Sequence, residues 1–292
     1  MSRSAEALEA TVRQRVAAAQ RIVIKMGTNV IMRDDGAPAI GLVYGIVESA
    51  VNVLRSGRQV LIVSSGAIGL GAKSLRLDKS PRELALKQAC AAVGQGRLMS
   101  MYRDAFRHFN VTTAQVLLTE DDFLNPERYS NLRATLDTLL KLGVVPIINE
   151  NDTVSTLELD RPSNTVGRHR VFGDNDKLSA LVMTKIDADL LVLLSDVDGL
   201  YTSHPHDDGS EFVSEVAEIT PELAAFARIS KGRGRGGMST KIEAARIVAE
   251  AGKITVIANG RIPGVVERVV AGESIGTVFH PHPHLQPAKV HP

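Results

Sequence analysis

Residues 21–66 read RIVIKMGTNVIMRDDGAPAIGLVYGIVESAVNVLRSGRQVLIVSSG, with an apolar run at each end of a periodic segment. The runs at residues 21–25 and 59–64 are short, mainly apolar and soon followed by glycine, which is typical of buried β-strands. Between them, apolar side chains recur at helical spacing from residue 40 to residue 56, and Gly57 ends the pattern. The order strand, helix, strand predicts a parallel crossover unit.

The same alternation continues along the rest of the chain. We predict strands at residues 111–118, 144–149, 190–194 and 255–258, and helices at residues 81–109, 126–142, 174–186 and 238–251, with a short helix after Thr220 and Pro221. A capping box, Ser80 to Glu83, is expected to open the helix at residues 81–109. Pro146 indicates that its strand lies at a sheet edge or begins late. Repeated parallel crossovers predict an α/β fold, a three-layer α/β/α sandwich with a mainly parallel central sheet.

One domain is predicted for residues 21–280, because no linker, internal repeat or low-complexity tract divides them. Residues 1–20 are expected to form a solvated, partly helical lead-in, and residues 281–292 an extended tail. The stretch His280 to His284 alternates histidine with proline, which prevents the helical spacing that would pair histidines on a metal. We interpret this stretch as a solvated end rather than a metal site.

Composition excludes several classes of function. The formal net charge is +1, so no global field favours nucleic acid or an anionic membrane surface, and any anion site must be local. Aromatic residues make up only 4% of the chain and tryptophan is absent, which disfavours a base-stacking surface. No apolar run approaches the ~20 residues that span a bilayer. We therefore expect neither nucleic acid nor membrane as a partner.

The single cysteine, Cys90, excludes an intramolecular disulfide and a cysteine-based metal cluster. The first twenty residues lack the apolar core of a secretory signal, and together these features predict a cytoplasmic location. Cys90 lies among alanines in a helical segment, where a thiol is usually a small core side chain, although a catalytic thiol is the alternative.

Polar segments follow four of the predicted strands, and the first two of these segments contain glycine. They are Lys25–Asn29, Ser64–Gly71, Asn149–Asp152 and Ser195–Asp196. Ligands of parallel sheets bind beyond the carboxyl ends of the strands, and glycine lets backbone N–H groups approach an anion closely. Each segment alone could be a plain turn, but their recurrence predicts one site at this edge of the sheet.

A further glycine-rich segment, Gly232–Gly237, formally matches a dinucleotide motif but follows a charged stretch rather than a strand. Walker A and protein-kinase motifs are absent from the sequence. In Gly236–Lys241, two glycines, a predicted helix start and a lysine in the first turn coincide, which is typical of a phosphate site. The alternative is a flexible loop that caps an amphipathic helix.

Six ordered motifs together resemble the glutamate 5-kinase branch of the amino acid kinase family. They are Lys25–Asn29, Ser65–Ile68, Pro146–Asp152, Phe172–Ala180, Leu194–Tyr201 and Gly236–Lys241. The resemblance implies the three-layer fold, with ATP and Mg²⁺ as cofactors. It also implies phosphorylation of the L-glutamate side-chain carboxylate to L-glutamyl 5-phosphate, the first step of proline biosynthesis.

The resemblance also implies roles for individual residues. The implied catalytic residues are Lys25, Lys241 and Asp176; those for glutamate are Ser65, Asp152 and Asn175; those for ATP are Lys25, Ser195, Asp196, Arg235, Gly236, Gly237, Met238, Ser239, Thr240 and Lys241. Asp152 suits the substrate ammonium group, and the Asn175 amide is expected to donate to the α-carboxylate. A carboxylate nucleophile needs no general base at neutral pH. Asp174 and Glu150 stay open between magnesium-shell groups, pocket residues and loop caps.

Some features depart from typical bacterial members. Asp174 follows Asp152 by 22 positions, a longer loop that resembles the kinase half of bifunctional pyrroline-5-carboxylate synthases, as does Arg235. The chain ends soon after Phe279, so we expect a kinase without a PUA or reductase domain. Expected partners are L-glutamate and ATP, proline as a feedback inhibitor, a glutamyl-phosphate reductase and further copies of the same chain.

Two alternatives remain at this stage. The first is another family member, such as an N-acetylglutamate or phosphonate kinase, although Asn149–Asp152 favours free glutamate. The second is a non-catalytic nucleotide or amino-acid sensor. The presence of Lys25, Asp176 and Lys241 together disfavours a sensor, because binding alone does not require a charge clamp on the transferred group.

Overall fold

The computed structural model describes residues 12–77, 81–155, 174–203, 207, 209–220, 223 and 237–282. The strands are β1 (Arg21–Met26), β2 (Gln59–Ser64), β3 (Thr113–Leu118), β4 (Val145–Glu150), β5 (Leu190–Ser195), β6 (Leu200–Tyr201), β7 (Phe212–Val213), β8 (Glu215–Val216), β9 (Ile254–Asn259) and β10 (Thr277–Phe279). Eight of them form one sheet in the order β3-β4-β2-β1-β5-β9-β10-β8, and β6 pairs separately with β7. Within the eight-stranded sheet only the pair β9 and β10 is antiparallel.

Helices cover both faces of this sheet. They are α1 (Thr28–Ile31), α2 (Ile40–Arg55), α3 (Ala67–Ser74), α4 (Leu84–Arg107), α5 (Asp121–Leu124), α6 (Pro126–Lys141), α7 (Asn175–Lys185), α8 (Met238–Glu250) and α9 (Val265–Val270), preceded by helical residues 12–18. Successive side chains of β1 alternate between two hydrophobic clusters, one shared with α2, α4 and α9 and the other with α6, α7 and α8. The predicted three-layer α/β sandwich with a mainly parallel sheet is confirmed.

Two expectations at segment ends are corrected. Helix α4 begins at Leu84, because Glu83 has extended backbone angles (φ −70°, ψ 141°) and makes no capping bond through its side chain, so the predicted start at Pro81 is wrong. Strand β4 lies between β3 and β2, so the edge alternative for Pro146 is also wrong. The late-start alternative is wrong as well, because β4 begins at Val145 and pairs with β3 from that residue. Only its pairing with β2 begins at Ile147, after the proline that has no N–H to donate.

The start of the described chain is packed rather than solvated. Val12 and Val16 are buried in the same cluster as α2. The buried Arg13 guanidinium donates to the carbonyl oxygens of Glu273, Ile275 and Gly276 at 2.8, 3.0 and 3.1 Å. The expected solvated lead-in is therefore wrong for residues 12–19, because an apolar helical face and one buried arginine bind them to the end of the domain.

The crossing of α3 and α4 depends on two glycines. A Cβ atom at Gly71 would lie 1.8 Å from the Cys90 carbonyl oxygen, and one at Gly94 would lie 1.7 Å from the Ala67 carbonyl oxygen. Only hydrogen fits at both positions. Cys90 itself is fully buried, and burial raises the pKa of its thiol, which agrees with the interpretation as a core side chain.

Other predictions have mixed outcomes. The Asn125 side chain caps α6, accepting from the N–H groups of Glu127 and Arg128. At the tail, His280 is not solvated: its imidazole contacts the Glu215 carboxylate. Ser80, most of the short helix predicted after Thr220, and residues 283–292 lie outside the described residues. No described helix combines the length and apolar character that crossing a bilayer requires.

Candidate active site

The polar segments predicted at strand ends meet along the carboxyl ends of the central parallel strands, which we call the ligand edge of the sheet. Strands β4, β2, β1 and β5 are consecutive neighbours and run parallel, so Glu150, Ser64, Met26 and Ser195 end them side by side. Helix α7 begins at the same edge, since Asn175 donates to the Ser64 carbonyl oxygen at 2.7 Å. The arrangement corresponds to the general ligand position of open parallel sheets.

Three charged side chains form the centre of this edge. The Nζ atom of Lys25 lies 2.6 Å from Oδ1 of Asp176, and the Nζ atom of Lys241 lies 3.3 Å from Oδ2. All three residues are buried, Asp176 completely. They come from β1, α7 and α8, so the fold unites residues that are more than 200 positions apart in sequence.

The charge state of this cluster follows from its contacts. Burial of Asp176 opposes ionisation, but the Lys25 and Lys241 ammonium groups outweigh it and lower the pKa of Asp176 to about 2. The carboxylate is therefore ionised at neutral pH. The cluster therefore joins two lysine side chains to one buried carboxylate.

Gly27 lies next to the cluster, directly before α1. A Cβ atom at Gly27 would lie 3.4 Å from the Lys25 Nζ atom and 3.6 Å from the Leu194 carbonyl oxygen, which are ordinary van der Waals distances. The backbone at Gly27 is extended (φ −74°, ψ 163°), a conformation that any residue adopts. Neither space nor backbone conformation therefore requires glycine at this position.

The first turn of α8 also faces Asp176. The Thr240 hydroxyl lies 2.7 Å from Oδ2 of Asp176, so this residue, predicted for ATP, contacts the central carboxylate. Gly237, Met238 and Ser239 are partly exposed at the start of the helix. Arg235 and Gly236 lie outside the described residues, and their predicted contacts with ATP stay predictions.

Asp174 precedes α7 and caps it. Its Oδ1 atom accepts from the N–H groups of Asp176 and Lys177 at 2.9 and 3.1 Å. Burial and the neighbouring Asp176 charge raise the pKa of Asp174. Its other oxygen, Oδ2, is buried and has no hydrogen-bond partner among the described residues. The cap alternative for Asp174 is therefore confirmed for one of its two oxygens.

Buried amides line the β2 and β4 side of the site. Because the Ser64 carbonyl oxygen can only accept, the Asn175 atom that faces it must be Nδ2. This nitrogen also lies 2.9 Å from Oδ1 of Asn149 and 3.1 Å from Oγ of Ser65. Its hydrogens thus face oxygen atoms of the protein, which favours an acceptor role for Asn175 towards a ligand; the expected donation to a substrate carboxylate stays a prediction. The Asn175 Oδ1 atom is the one left for a ligand, as an acceptor.

The residues after β4 have different surroundings. Glu150 is buried and accepts from the Ser155 hydroxyl at 2.5 Å, which favours the interpretation as a structural group over a magnesium ligand. Asp152 lies in the turn that follows and is partly exposed. Its predicted contact with a substrate ammonium group stays a prediction.

The remaining predicted residues lie at the end of β5. The Ser195 hydroxyl lies 3.2 Å from Oδ1 of Asp196, and Asn29 donates to Oδ2 of Asp196 at 2.9 Å. Asn29 belongs to one of the six motifs but was given no role. Asn149 and Asn29 both hold predicted site residues in place, and their only sequence signal was their position in polar segments after strands.

Comparison with known proteins agrees with this geometry. The model of the amino acid kinase family matches residues 20–259. A protein named glutamate 5-kinase from Acaryochloris marina is 45% identical over 278 residues, covering 93% of this chain and 72% of that protein. Another with the same name, from Moorella thermoacetica, is 46% identical and covers 91% and 68%.

Solved structures show the same fold at low identity. Carbamate kinase from Giardia lamblia, bound to AMP-PNP, superposes with a TM-score of 0.62 at 18% identity, covering 90% of this chain and 99% of that one. UMP kinase from Bacillus anthracis superposes with a TM-score of 0.59 at 16% identity, covering 90% and 96%. Family match, sequence relatives and fold agree, and the chain belongs to the amino acid kinase family, within which it groups with the glutamate 5-kinases.

Proposed function

We propose that this protein transfers the γ-phosphoryl group of ATP to the side-chain carboxylate of L-glutamate. The observation that carries the proposal is the buried cluster of Lys25, Asp176 and Lys241 at the ligand edge of the sheet. Relatives named glutamate 5-kinase, about 45% identical over most of the chain, indicate the substrate. The products are L-glutamyl 5-phosphate and ADP.

The reaction requires no proton transfer. A glutamate side-chain oxygen forms a bond to the γ-phosphorus. At the same time the bond between that phosphorus and the bridging oxygen breaks, and the bridging oxygen leaves as part of ADP. The side-chain carboxylate has a reference pKa of about 4.3 and is ionised at neutral pH. The protein's task is therefore positioning and charge compensation, which agrees with a centre made of lysines and aspartate rather than histidine.

In this proposal the two lysines contact the transferred phosphoryl group. Negative charge is spread over its oxygens in the transition state, and two preorganised ammonium groups offset that charge. Asp176 holds both ammonium groups through opposite carboxylate oxygens, 2.6 and 3.3 Å away.

Glutamate is proposed to bind on the β2 and β4 side, against Ser65, Asp152 and Asn175. The Asn175 Oδ1 atom is an acceptor, so it suits the substrate ammonium group together with Asp152. Ser65 Oγ accepts from Asn175, which leaves its own hydrogen for a substrate carboxylate oxygen. Glutamate carries both kinds of group at the end remote from the reaction.

ATP is proposed to bind on the β5 and α8 side. Ser195, Asp196 and residues 235–241 are the groups assigned to it, with Lys25 and Lys241 shared between ATP and the reacting centre. The amino end of α8 favours phosphate, because its backbone N–H groups and dipole attract negative charge. Of these residues, Thr240 contributes through Asp176, which its hydroxyl contacts.

The site also fits Mg²⁺, which typically binds one or two carboxylates together with substrate phosphates. The Asp174 Oδ2 atom is a buried hard oxygen without a hydrogen-bond partner among the described residues. Within the described part of the chain, no three acidic, histidine or cysteine side chains cluster to hold a metal. We infer that phosphate oxygens supply most of the ligands, as is usual for Mg²⁺ at phosphate sites. When bound, the ion neutralises charge on the phosphates.

Regulation and partners are proposed on chemical grounds. An acyl phosphate is reactive, so a reductase that consumes it promptly is a reasonable partner. Proline shares the α-carboxylate and α-nitrogen of glutamate and is proposed to compete for the same groups. We also propose that the protein assembles into a homo-oligomer. Millimolar proline at subsaturating glutamate tests the competition, and an unchanged rate contradicts it.

The decisive experiment measures ADP release by the purified protein with MgATP and a panel of acceptors. The panel contains L-glutamate, L-aspartate, N-acetyl-L-glutamate and a phosphonate, and hydroxylamine traps any acyl phosphate. We expect L-glutamate to react fastest and to give the trapped product. Faster turnover of N-acetylglutamate or of the phosphonate contradicts the proposal.

A further inference from the structure

A residue of α4 that belongs to none of the six motifs reaches the amides behind the proposed glutamate site. Gln95 is 8% exposed, and its Oε1 atom accepts from Nδ2 of Asn149 at 2.9 Å. Asn149 in turn accepts from Nδ2 of Asn175 at 2.9 Å. The three side chains form one continuous line from α4 to the start of α7.

The direction of every bond in this line is determined. The Glu150 N–H can only donate, so the Asn149 atom that it contacts at 2.9 Å is Oδ1. The Asn149 Nδ2 atom therefore faces the other way and requires an acceptor, which Gln95 provides. Without that acceptor, the Asn149 amide would keep only the bonds that its Oδ1 atom accepts from Glu150 and Asn175, and its buried Nδ2 atom would have lost the Gln95 partner.

Gln95 has a cost that a purely structural residue would avoid. Its Nε2 atom is buried and has no hydrogen-bond partner among the described residues. A buried donor left unpaired destabilises the folded state, and methionine, which has nearly the same length, would avoid it but would take the acceptor away from Asn149 Nδ2. Because these two effects oppose each other, stability alone gives little reason for an amide at this position.

A second residue of the same helix supports the neighbouring strand. Tyr102 lies seven positions after Gln95, on the same side of α4, and its hydroxyl lies 2.9 Å from Oγ of Ser64. Helix α4 thus holds the end of β2 through Tyr102 and the end of β4 through Gln95. Of these two contacts, only that of Gln95 reaches Asn149, whose amide in turn orients Asn175, a residue proposed to bind glutamate.

We propose that Gln95 is a positioning residue for the amino-acid substrate. It fixes the Asn149 amide, which engages Nδ2 of Asn175 and leaves Oδ1 of Asn175 directed to the substrate ammonium group. This inference rests on the proposed function, because it assigns Asn175 to an amino acid with a free amine. Gln95 touches neither substrate and acts through two intervening side chains.

The test is the Gln95→Met variant in the full chain. We expect KM for the amino acid to rise about three- to tenfold, as for loss of about one net hydrogen bond, with KM for ATP within about twofold. The melting temperature should stay within about 2 °C, because the variant removes one buried unpaired nitrogen, Gln95 Nε2, and takes the acceptor away from another, Asn149 Nδ2. Gln88→Met, two turns earlier on α4, is the matched control and should change neither KM.

A second experiment tests whether Gln95 acts on substrate binding through Asn175. Binding of the amino acid is measured by titration calorimetry in Gln95→Met, Asn175→Ala and the double variant, so that slow turnover does not interfere. If Gln95 acts through Asn175, the double variant binds within about twofold of Asn175→Ala; independent effects would multiply. Multiplied effects, or an unchanged amino-acid KM in Gln95→Met, overturn the proposal.

A structural role would instead lower the melting temperature and change both KM values or neither. The acceptor used is the acidic amino acid that the parent phosphorylates fastest. Failure of L-glutamate with the parent therefore counts against the proposed function, and the ratio of variant to parent tests Gln95.

Discussion

Asp176 shows how burial and charge combine at one residue. Completely buried carboxylates are normally protonated more easily, yet two lysines keep this one ionised with a pKa of about 2. Removing either lysine would leave the buried Asp176 carboxylate with only one of the two lysine side chains that compensate its negative charge. The cluster therefore acts as a unit, and single substitutions should have large effects.

We expect Lys25→Ala and Lys241→Ala each to lower kcat by about 10² to 10³, because each removes one preorganised charge from the transferred phosphoryl group. Single-turnover phosphoryl transfer measures the effect. Lys253→Ala is the control, since Lys253 directly precedes β9, at the amino ends of the parallel strands and away from the proposed site, and pairs with Asp187. A rate within about threefold of the parent in either clamp variant would remove that lysine from the clamp.

Asp152→Asn is expected to raise KM for glutamate by roughly 10- to 100-fold with a smaller change in kcat. A charge-assisted hydrogen bond to the substrate ammonium contributes about 1.5–3 kcal/mol, and that group is remote from the reacting carboxylate. Steady-state kinetics with glutamate and N-acetylglutamate measures this, with the exposed Asp34→Asn as control. If Asp152 only shapes the turn after β4, asparagine should replace it with little change in KM.

At the scale of elements, the α3 and α4 crossing sets how closely α4 approaches the ends of β2 and β4. Gly71 and Gly94 each lie so close to the facing backbone that no side chain larger than hydrogen fits between them. The same helix carries Gln95 and Tyr102 to Asn149 and Ser64. Close packing and side-chain reach are therefore linked, since a wider crossing would withdraw both polar groups.

Gly94→Ala should destabilise the fold by several kcal/mol or prevent folding, because the methyl group would meet the Ala67 carbonyl oxygen and the helices would have to separate. Gly96→Ala is the matched control on the same helix, where nothing lies within 4 Å of the added atom. Alanine is the better helix former, so this control should gain about 0.5–1 kcal/mol. Urea unfolding of both variants gives the comparison, and equal stabilities would contradict the crossing argument.

The parts of the fold that could be predicted from sequence are those governed by local pattern. Strand β1 was predicted because its short apolar run is soon followed by glycine, and the Asn125 cap because it precedes proline at a helix start. The start of α4 was missed because Glu83 has extended backbone angles despite the capping signature that ends at it. A local pattern indicates that a helix begins nearby without fixing the residue at which it begins.

The candidate site divides in the same way. Lys25 and Lys241 were predicted from motifs, whereas the contact of Gln95 with Asn149 joins residues 54 positions apart and leaves no local trace. The orientation of the Asn175 amide could not be predicted from sequence, because it depends on the Ser64 carbonyl oxygen, which only the folded sheet brings near.

For the whole molecule, Arg13 joins the first described helix to the last turns of the domain. Arg13→Met should lower the free energy of unfolding by about 2–5 kcal/mol, since hydrogen bonds from a charged donor to buried carbonyls are lost while the aliphatic part is kept. Both KM values should stay near those of the parent. Arg15→Met, at an exposed position of the same segment, should change stability by less than about 0.5 kcal/mol. Equal effects in chemical denaturation would show that the carbonyl contacts of Arg13 contribute little.

The same contact has a consequence for the order of assembly. Arg13 and Glu273 are 260 positions apart, so their encounter closes a loop that contains nearly the whole domain. During synthesis the segment at residues 12–19 leaves the ribosome early, yet its binding surface does not exist until the last strands have been made. We expect this segment to dock after the sheet has formed, so that the part of the chain synthesised first is among the last to fold.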